Sequence, residues 1–262
     1  MKVRLAHSIA LVAALLATTI ARDAASAASQ TEPEPGPSGF VVFARGRQIG
    51  REEARLLRTA DGWTITATGR LDPPVDIETR HFEIRYSSDW QPLALRLEMS
   101  SAGRPLSLST SFGLTTATSE IARGDERGQK TDVVPARAIV LPNHVFAAYE
   151  ALAARLAVAS AGETLPIYVA PDGEITASID DIAGDRLTAG GERLETRRAR
   201  LTFRQPGGAL TALVWIDARG RLARLEIPSA GLQVVRDDVA RAAAPSIAHP
   251  GDERVTIPAS GF

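Results

Sequence analysis

The residues able to do acid–base or metal chemistry are few and scattered. Beyond residue 27, histidine occurs only at His81, His144 and His249. His144 would need a positioned partner to act as a general base, and the sequence shows none. It follows Asn143, a good N-cap, and is expected to help fix a helix entry. His81 opens an alternating stretch out of phase with Phe82, Ile84 and Tyr86, which places it on a solvated face. His249 sits in Ala248-His249-Pro250-Gly251, a turn-rich border. The acid pairs Asp180-Asp181 and Asp237-Asp238 carry the hard oxygens that calcium prefers. Adjacent strand side chains point to opposite faces, however, and no D-x-D-x-D-G run supplies the remaining ligands. G-x-S-x-G, S-x-x-K, H-E-x-x-H, G-x-G-x-x-G and G-x-x-x-x-G-K-[ST] are all absent, as is cysteine. These residues predict no catalytic constellation, no metal site and no cofactor.

The elements that would position any site are mostly strands. From Gly39 onward, short segments alternate apolar and polar residues between turn signals. Trp63, Ile65 and Ala67 oppose Thr64, Thr66 and Thr68 after an Asp61-Gly62 turn. Phe82, Ile84 and Tyr86 alternate with Glu83 and Arg85, and Leu93, Leu95, Leu97 and Met99 with Arg96 and Glu98. A second run repeats the pattern from Leu165 to Val235, and its Trp215-to-Glu226 hairpin echoes the one from Trp90 to Glu98. Both hairpins set a Trp beside an Asp, and both indoles are expected to be buried with their N–H groups satisfied.

One segment changes period. Val145, Tyr149, Leu152 and Leu156 make one apolar face of a helix running from Asn143 to about Ala161, with Glu150 and Arg155 elsewhere on the wheel. A lone amphipathic helix in a β chain must bury its stripe against a sheet. The expected fold is mainly β, a long curved antiparallel sheet forming an open or half barrel wrapped on this helix. If the concave face holds an apolar small molecule, Tyr149, Leu152, Trp90 and Trp215 are the candidate ligand-binding residues.

Both ends of the chain carry separate signals. Lys2 and Arg4, the apolar run from Ile9, and Ala25-Ser26-Ala27 make a secretory signal peptide over residues 1–27. The run is shorter than the roughly 20 residues of a spanning helix. The mature chain is therefore expected to be exported, periplasmic or secreted, without a stable membrane anchor. The Pro- and Glu-rich stretch 28–38 reads as a disordered linker. It is followed by a β-rich domain over 39–240 and a second linker over 241–254. The roughly 235 mature residues suffice for a sizeable core, and a net charge of -1 gives no reason to expect nucleic acid.

Residues Val255-Thr256-Ile257-Pro258-Ala259-Ser260-Gly261-Phe262 read as a truncated first strand of a following domain. This segment resembles the first strand of exported α/β-hydrolases. The resemblance implies an N-terminal accessory or substrate-orienting module, itself non-catalytic, with a hydrolase domain in cis as its partner. The sheet-over-helix pattern also resembles periplasmic lipoprotein carriers, which implies a free-standing carrier of an apolar ligand.

Overall fold

A computed structural model describes residues 32–205 and 207–243. The expected signal peptide, most of the second linker and the strand at 255–262 lie outside the described residues.

The chain first runs as an antiparallel meander of eight strands: β1 (Gly36–Ala44), β2 (Arg47–Thr59), β3 (Gly62–Leu71), β4 (Ile77–Ser87), β5 (Pro92–Ser101), β6 (Arg104–Phe112), β7 (Thr116–Arg123) and β8 (Glu126–Val133). It then crosses through the short β9 (Ile139–Val140) and a 3-10 turn, Phe146–Ala148, into helix α1 (Tyr149–Leu156). A second meander returns through β10 (Thr164–Val169), β11 (Gly173–Ala189), β12 (Glu192–Gln205), β13 (Gly208–Asp217), β14 (Leu222–Ile227) and β15 (Leu232–Arg236) before helix α2 (Asp237–Ala243). The two meanders join where β15 pairs antiparallel with β1. The result is one unclosed sheet of 15 strands whose edges are β8 and β9. The mainly β fold expected from alternation is the fold observed.

Turn chemistry sets the hairpins. Gly62, in the Asp61-Gly62 turn, lies so close to β4 that a Cβ there would meet the Tyr86 carbonyl oxygen at 2.1 Å. Alternation then decides the faces. Phe40, Leu56, Ile65, Phe82, Ile84 and Leu95 are fully buried on the concave side, and they close around α1.

The helix differs from its expectation in length and in burial. His144 has a φ of +64°, a left-handed conformation that a helical turn excludes, so regular structure starts only at Phe146. Asn143 does not cap it, and its amide donates instead to Asp172 Oδ2 at 2.8 Å. At the other end, Arg197 donates to the carbonyls of Ala157 and Ala159. The Ala157 carbonyl belongs to the helix C-cap, where carbonyls lack intrahelical partners, and Ala159 lies in the loop just beyond it. The sheet wraps around α1 instead of covering one stripe, so Ala151, Leu152, Ala153, Leu156 and even Glu150 are buried. Truncating Leu152 to alanine should therefore cost about 2–5 kcal/mol in chemical denaturation. A loss below about 0.5 kcal/mol would show that this position is not packed.

The stretch expected as a solvated linker is, in its described part, structured. β1 begins at Gly36, and the Glu34 N–H donates to the Arg219 carbonyl at 2.9 Å. At the far end, α2 carries ordered backbone through Ala243, past the expected domain border at 240.

Candidate binding site

The four candidate ligand residues do not converge. Leu152 is fully buried on α1 and Tyr149 is half-buried against the same core. Burial pushes the Tyr149 hydroxyl up to about 12. Trp90 caps one end of the core, its ring stacked on Trp63 at 5.3 Å. Trp215 is on the other face of the sheet. Its neighbours Val214 and Ile216 join the core cluster, whereas Trp215 packs under the Arg224 guanidinium at 5.1 Å and donates from Nε1 to Asp185 Oδ2 at 2.8 Å. That hydrogen bond holds the Asp185 carboxyl below its usual range. For this hairpin the expected satisfied N–H is observed, while the indole is buried by Arg224 and Asp185 and not by the core.

The groups that the sheet brings together are different ones. Glu150 projects from α1 into the β13–β14 turn, where Arg221 donates to it from Nε at 3.1 Å and from a terminal nitrogen at 2.9 Å. The Leu222 N–H and the Ser38 hydroxyl donate to the same carboxylate at 3.0 Å. Arg221 also donates to the carbonyls of Glu34 and Gly36. These contacts fasten the start of β1 where β15 no longer runs beside it, since β15 ends opposite Phe40. Asp217 accepts the N–H groups of Arg219 and Arg221 at 3.0 Å and the Arg236 guanidinium at 2.6 Å.

Asp217 and Arg221 of this network also line a groove of about 930 Å³ that opens on the outer face of the sheet. Ser38 from β1, Glu53 and Arg55 from β2, Thr66 and Thr68 from β3, and His81 from β4 line one side, with Asp238 and Arg241 of α2 opposite. Asp237 lies directly over Gly39, where a Cβ would come within 2.2 Å of its carboxylate, and pairs with Arg51 at 2.7 Å. The pair Asp237-Asp238 thus binds arginines, while Asp180 accepts the Thr202 hydroxyl at 2.7 Å. No cluster of three or more histidines and acids suited to a metal ion occurs among the described residues. His144 is exposed, and partial desolvation of its ring holds the imidazole below its ordinary value. It lies in the connection before α1 and not in its first turn.

Sequence reasoning missed Glu52. It lies on β2 in phase with the inward Ala54 and Leu56 and is 4% exposed. The Ala147 N–H donates to it at 2.6 Å, so Glu52 satisfies the entry of α1 in the role expected of Asn143. Burial pushes this carboxyl up to about 8 against its backbone hydrogen bonds. The signal was present in the sequence as a charged residue at an inward position of an alternating strand.

The architecture defines an open sheet, antiparallel except for its edge strand β9, wound around one short buried helix, with a polar outer groove. No protein-family model matches the chain, and no curated protein matches it. Among solved structures, it is similar to a DUF1089 family protein from Pseudomonas aeruginosa at 15% identity and a TM-score of 0.39, over 70% of this chain and 90% of that one. It is also similar to a candidate exported protein with a YmcC-like fold from Bacteroides fragilis at 9% identity and a TM-score of 0.31, over 76% of this chain and 92% of that one. Both likenesses are distant, and nothing about activity follows from them.

Proposed function

We propose that this chain is an exported, non-catalytic β-rich module that meets its partner through the outer groove and not through the interior of the sheet. The observation that carries this reading is the filling of the concave face by α1, on which Leu152 and Leu156 are fully buried. A groove of about 930 Å³ lies on the opposite face of the sheet. Export is supported by the leader over residues 1–27, and the protein recovered from the periplasm or medium should begin at Ala28 by mass. No helix among the described residues is long and apolar enough to cross a membrane.

The tie to an α/β-hydrolase is supported by Val255 to Phe262 alone. Its test is whether the reading frame continues past Phe262 into a G-x-S-x-G segment. The purified chain should leave short-chain p-nitrophenyl esters unhydrolysed above background. Turnover lost in a His144→Ala variant would overturn the non-catalytic reading. Titration with a fluorescent fatty acid separates the carrier alternative, because a groove-binding module with a filled interior should show no saturable enhancement. Saturable binding weakened by substitutions at Tyr149 or Leu152 would favour the carrier.

A further inference from the structure

Leu114, Val133 and Val158 are 82%, 76% and 51% exposed, and among the described residues only Leu57, on β2, joins them as a large hydrophobic side chain left in solvent. Hydrogen bonds tie the segments that carry these three into one end of the sheet, where β4, β6 and β8 finish. The Val134 N–H donates to the Thr115 carbonyl at 2.9 Å, which sets the close of β8 beside the β6–β7 turn. In the β4–β5 turn, Gln91 Nε2 donates to the Gly113 carbonyl at 3.4 Å, and Gln91 Oε1 accepts the Arg137 N–H at 2.6 Å. Arg155, in the last turn of α1, donates to the Arg137 carbonyl at 2.9 Å, and Val158 lies just beyond it.

One exposed apolar residue is ordinary, but three gathered at one end call for a reason. Leu114 occupies the β6–β7 turn between Gly113 and Thr115, a place where glycine, asparagine, aspartate or serine usually stands. Val133 closes β8 in phase with the exposed Gln129 and Thr131. The three stand on separate segments, so they present protruding tips and not one flat patch.

Arg137, Arg155 and Arg197 belong to the same end. Arg137 Nε donates to the Asp89 carbonyl, Arg155 to the Arg137 carbonyl, and Arg197 to the carbonyls of Ala157 and Ala159. The guanidiniums thus rest on backbone, and none of the three makes an ion pair among the described residues. Asp89 and Glu163 are near, but Asp89 accepts the Ser87 hydroxyl and Glu163 the Ser160 N–H. Burial, and next the Arg137 charge, hold the Arg155 guanidinium below its ordinary range. The opposite end, where β5 and β7 finish, carries Arg104, Arg123 and Arg127 but none of the exposed large hydrophobic residues. Protruding apolar tips and arginines without acidic partners coincide at one end only.

We propose that this end docks reversibly on a lipid bilayer that carries anionic headgroups. Leu114, Val133 and Val158 enter the boundary between headgroups and acyl chains, where a fluid medium closes around each tip separately. A rigid protein partner would instead need a matching pocket for each. The guanidiniums stay at headgroup level, where lipid phosphates supply the anionic acceptors that the chain does not. Shallow insertion of three side chains gives peripheral binding and not a span. None of these residues lines the outer groove, so the docking end does not rest on the function proposed above.

The test is co-sedimentation of the purified chain with vesicles of phosphatidylcholine alone and of phosphatidylcholine mixed equally with phosphatidylglycerol. The mixed vesicles should bind the chain saturably and about ten-fold more tightly than phosphatidylcholine alone, and less so when salt is raised to about 0.5 M. Leu114→Ser combined with Val133→Ser changes only exposed positions and should lower the affinity about ten-fold. Arg137→Gln should lower it about five-fold while Arg137→Lys retains it, which separates charge from turn structure. Arg123→Gln combined with Arg127→Gln, at the opposite end, should bind as the native chain does. The proposal is overturned if the mixed vesicles capture no chain, if the opposite-end variant weakens binding equally, or if the Leu114 and Val133 variant binds unchanged. Should Arg137→Gln fail to fold, the Leu114 and Val133 variant decides on the same criteria.

Discussion

Replacing Arg221 with alanine should destabilise the fold by about 3–5 kcal/mol, the range for breaking a buried ion pair by removing one member. The two side chains are 7% and 0% exposed, so the remaining Glu150 carboxylate would stay in the interior with only the Ser38 hydroxyl and the Leu222 N–H. Loss of the guanidinium also strips the Glu34 and Gly36 carbonyls of their donor, which should loosen the start of β1 first. Hydrogen exchange should therefore rise over residues 34–39 before it rises in β3 or β4. The pair is not expected to be a large net source of stability. Joint replacement by Glu150→Leu and Arg221→Met should recover most of the loss, because a packed apolar pair avoids the desolvation cost of both charges. A denaturation midpoint in Arg221→Ala within error of the native chain would show that this network does not bind the helix to the sheet.

The second large effect is a stability that falls as pH rises, opposite to the usual behaviour of carboxylates. Burial raises Glu52 from an ordinary 4.5 to about 8. Between those values the folded chain keeps a proton that the unfolded chain has lost, so stability is full below about pH 4.5 and declines through pH 8. At about 1.36 kcal/mol per pKa unit, the decline amounts to roughly 3–5 kcal/mol. Asp89, Asp185 and Asp238 shift the other way, and their contributions change only at more acid pH. His144 opposes Glu52, since a lowered imidazole loses stability as pH falls. The informative quantity is therefore the difference between the native chain and Glu52→Gln. The amide keeps an acceptor for the Ala147 N–H but cannot ionise. Urea denaturation at pH 5 and pH 8 should show the native chain losing several kcal/mol more than the variant, and equal losses would refute the assignment.

Much of the strand framework was legible in the chain. Trp63, Ile65 and Ala67, or Phe82, Ile84 and Tyr86, alternate because a strand with one buried face has a period of two. Turn residues such as Asp61-Gly62 then fix where the alternation restarts. The presence of a helical interruption was legible for the same reason, since Tyr149, Leu152 and Leu156 share a face at helical spacing. Tertiary structure decided what surrounds that helix. Periodicity marks the apolar positions but does not report whether a sheet covers one stripe or encloses the whole cylinder, so the wheel placed Glu150 only off the apolar stripe, and its burial follows from Arg221, 71 residues away, which supplies its counter-charge. Nor does local sequence choose between two possible caps. Asn143 is adjacent to the helix, but the left-handed His144 turns it away, and Glu52 reaches the helix entry from 95 residues earlier. Strands, turns and the existence of α1 follow from interactions among near neighbours, which the sequence states directly. The buried charges, the outer groove and the Trp63–Trp90 contact arise where β1 meets β15 and where hairpins converge around α1, and only folding brings those residues together.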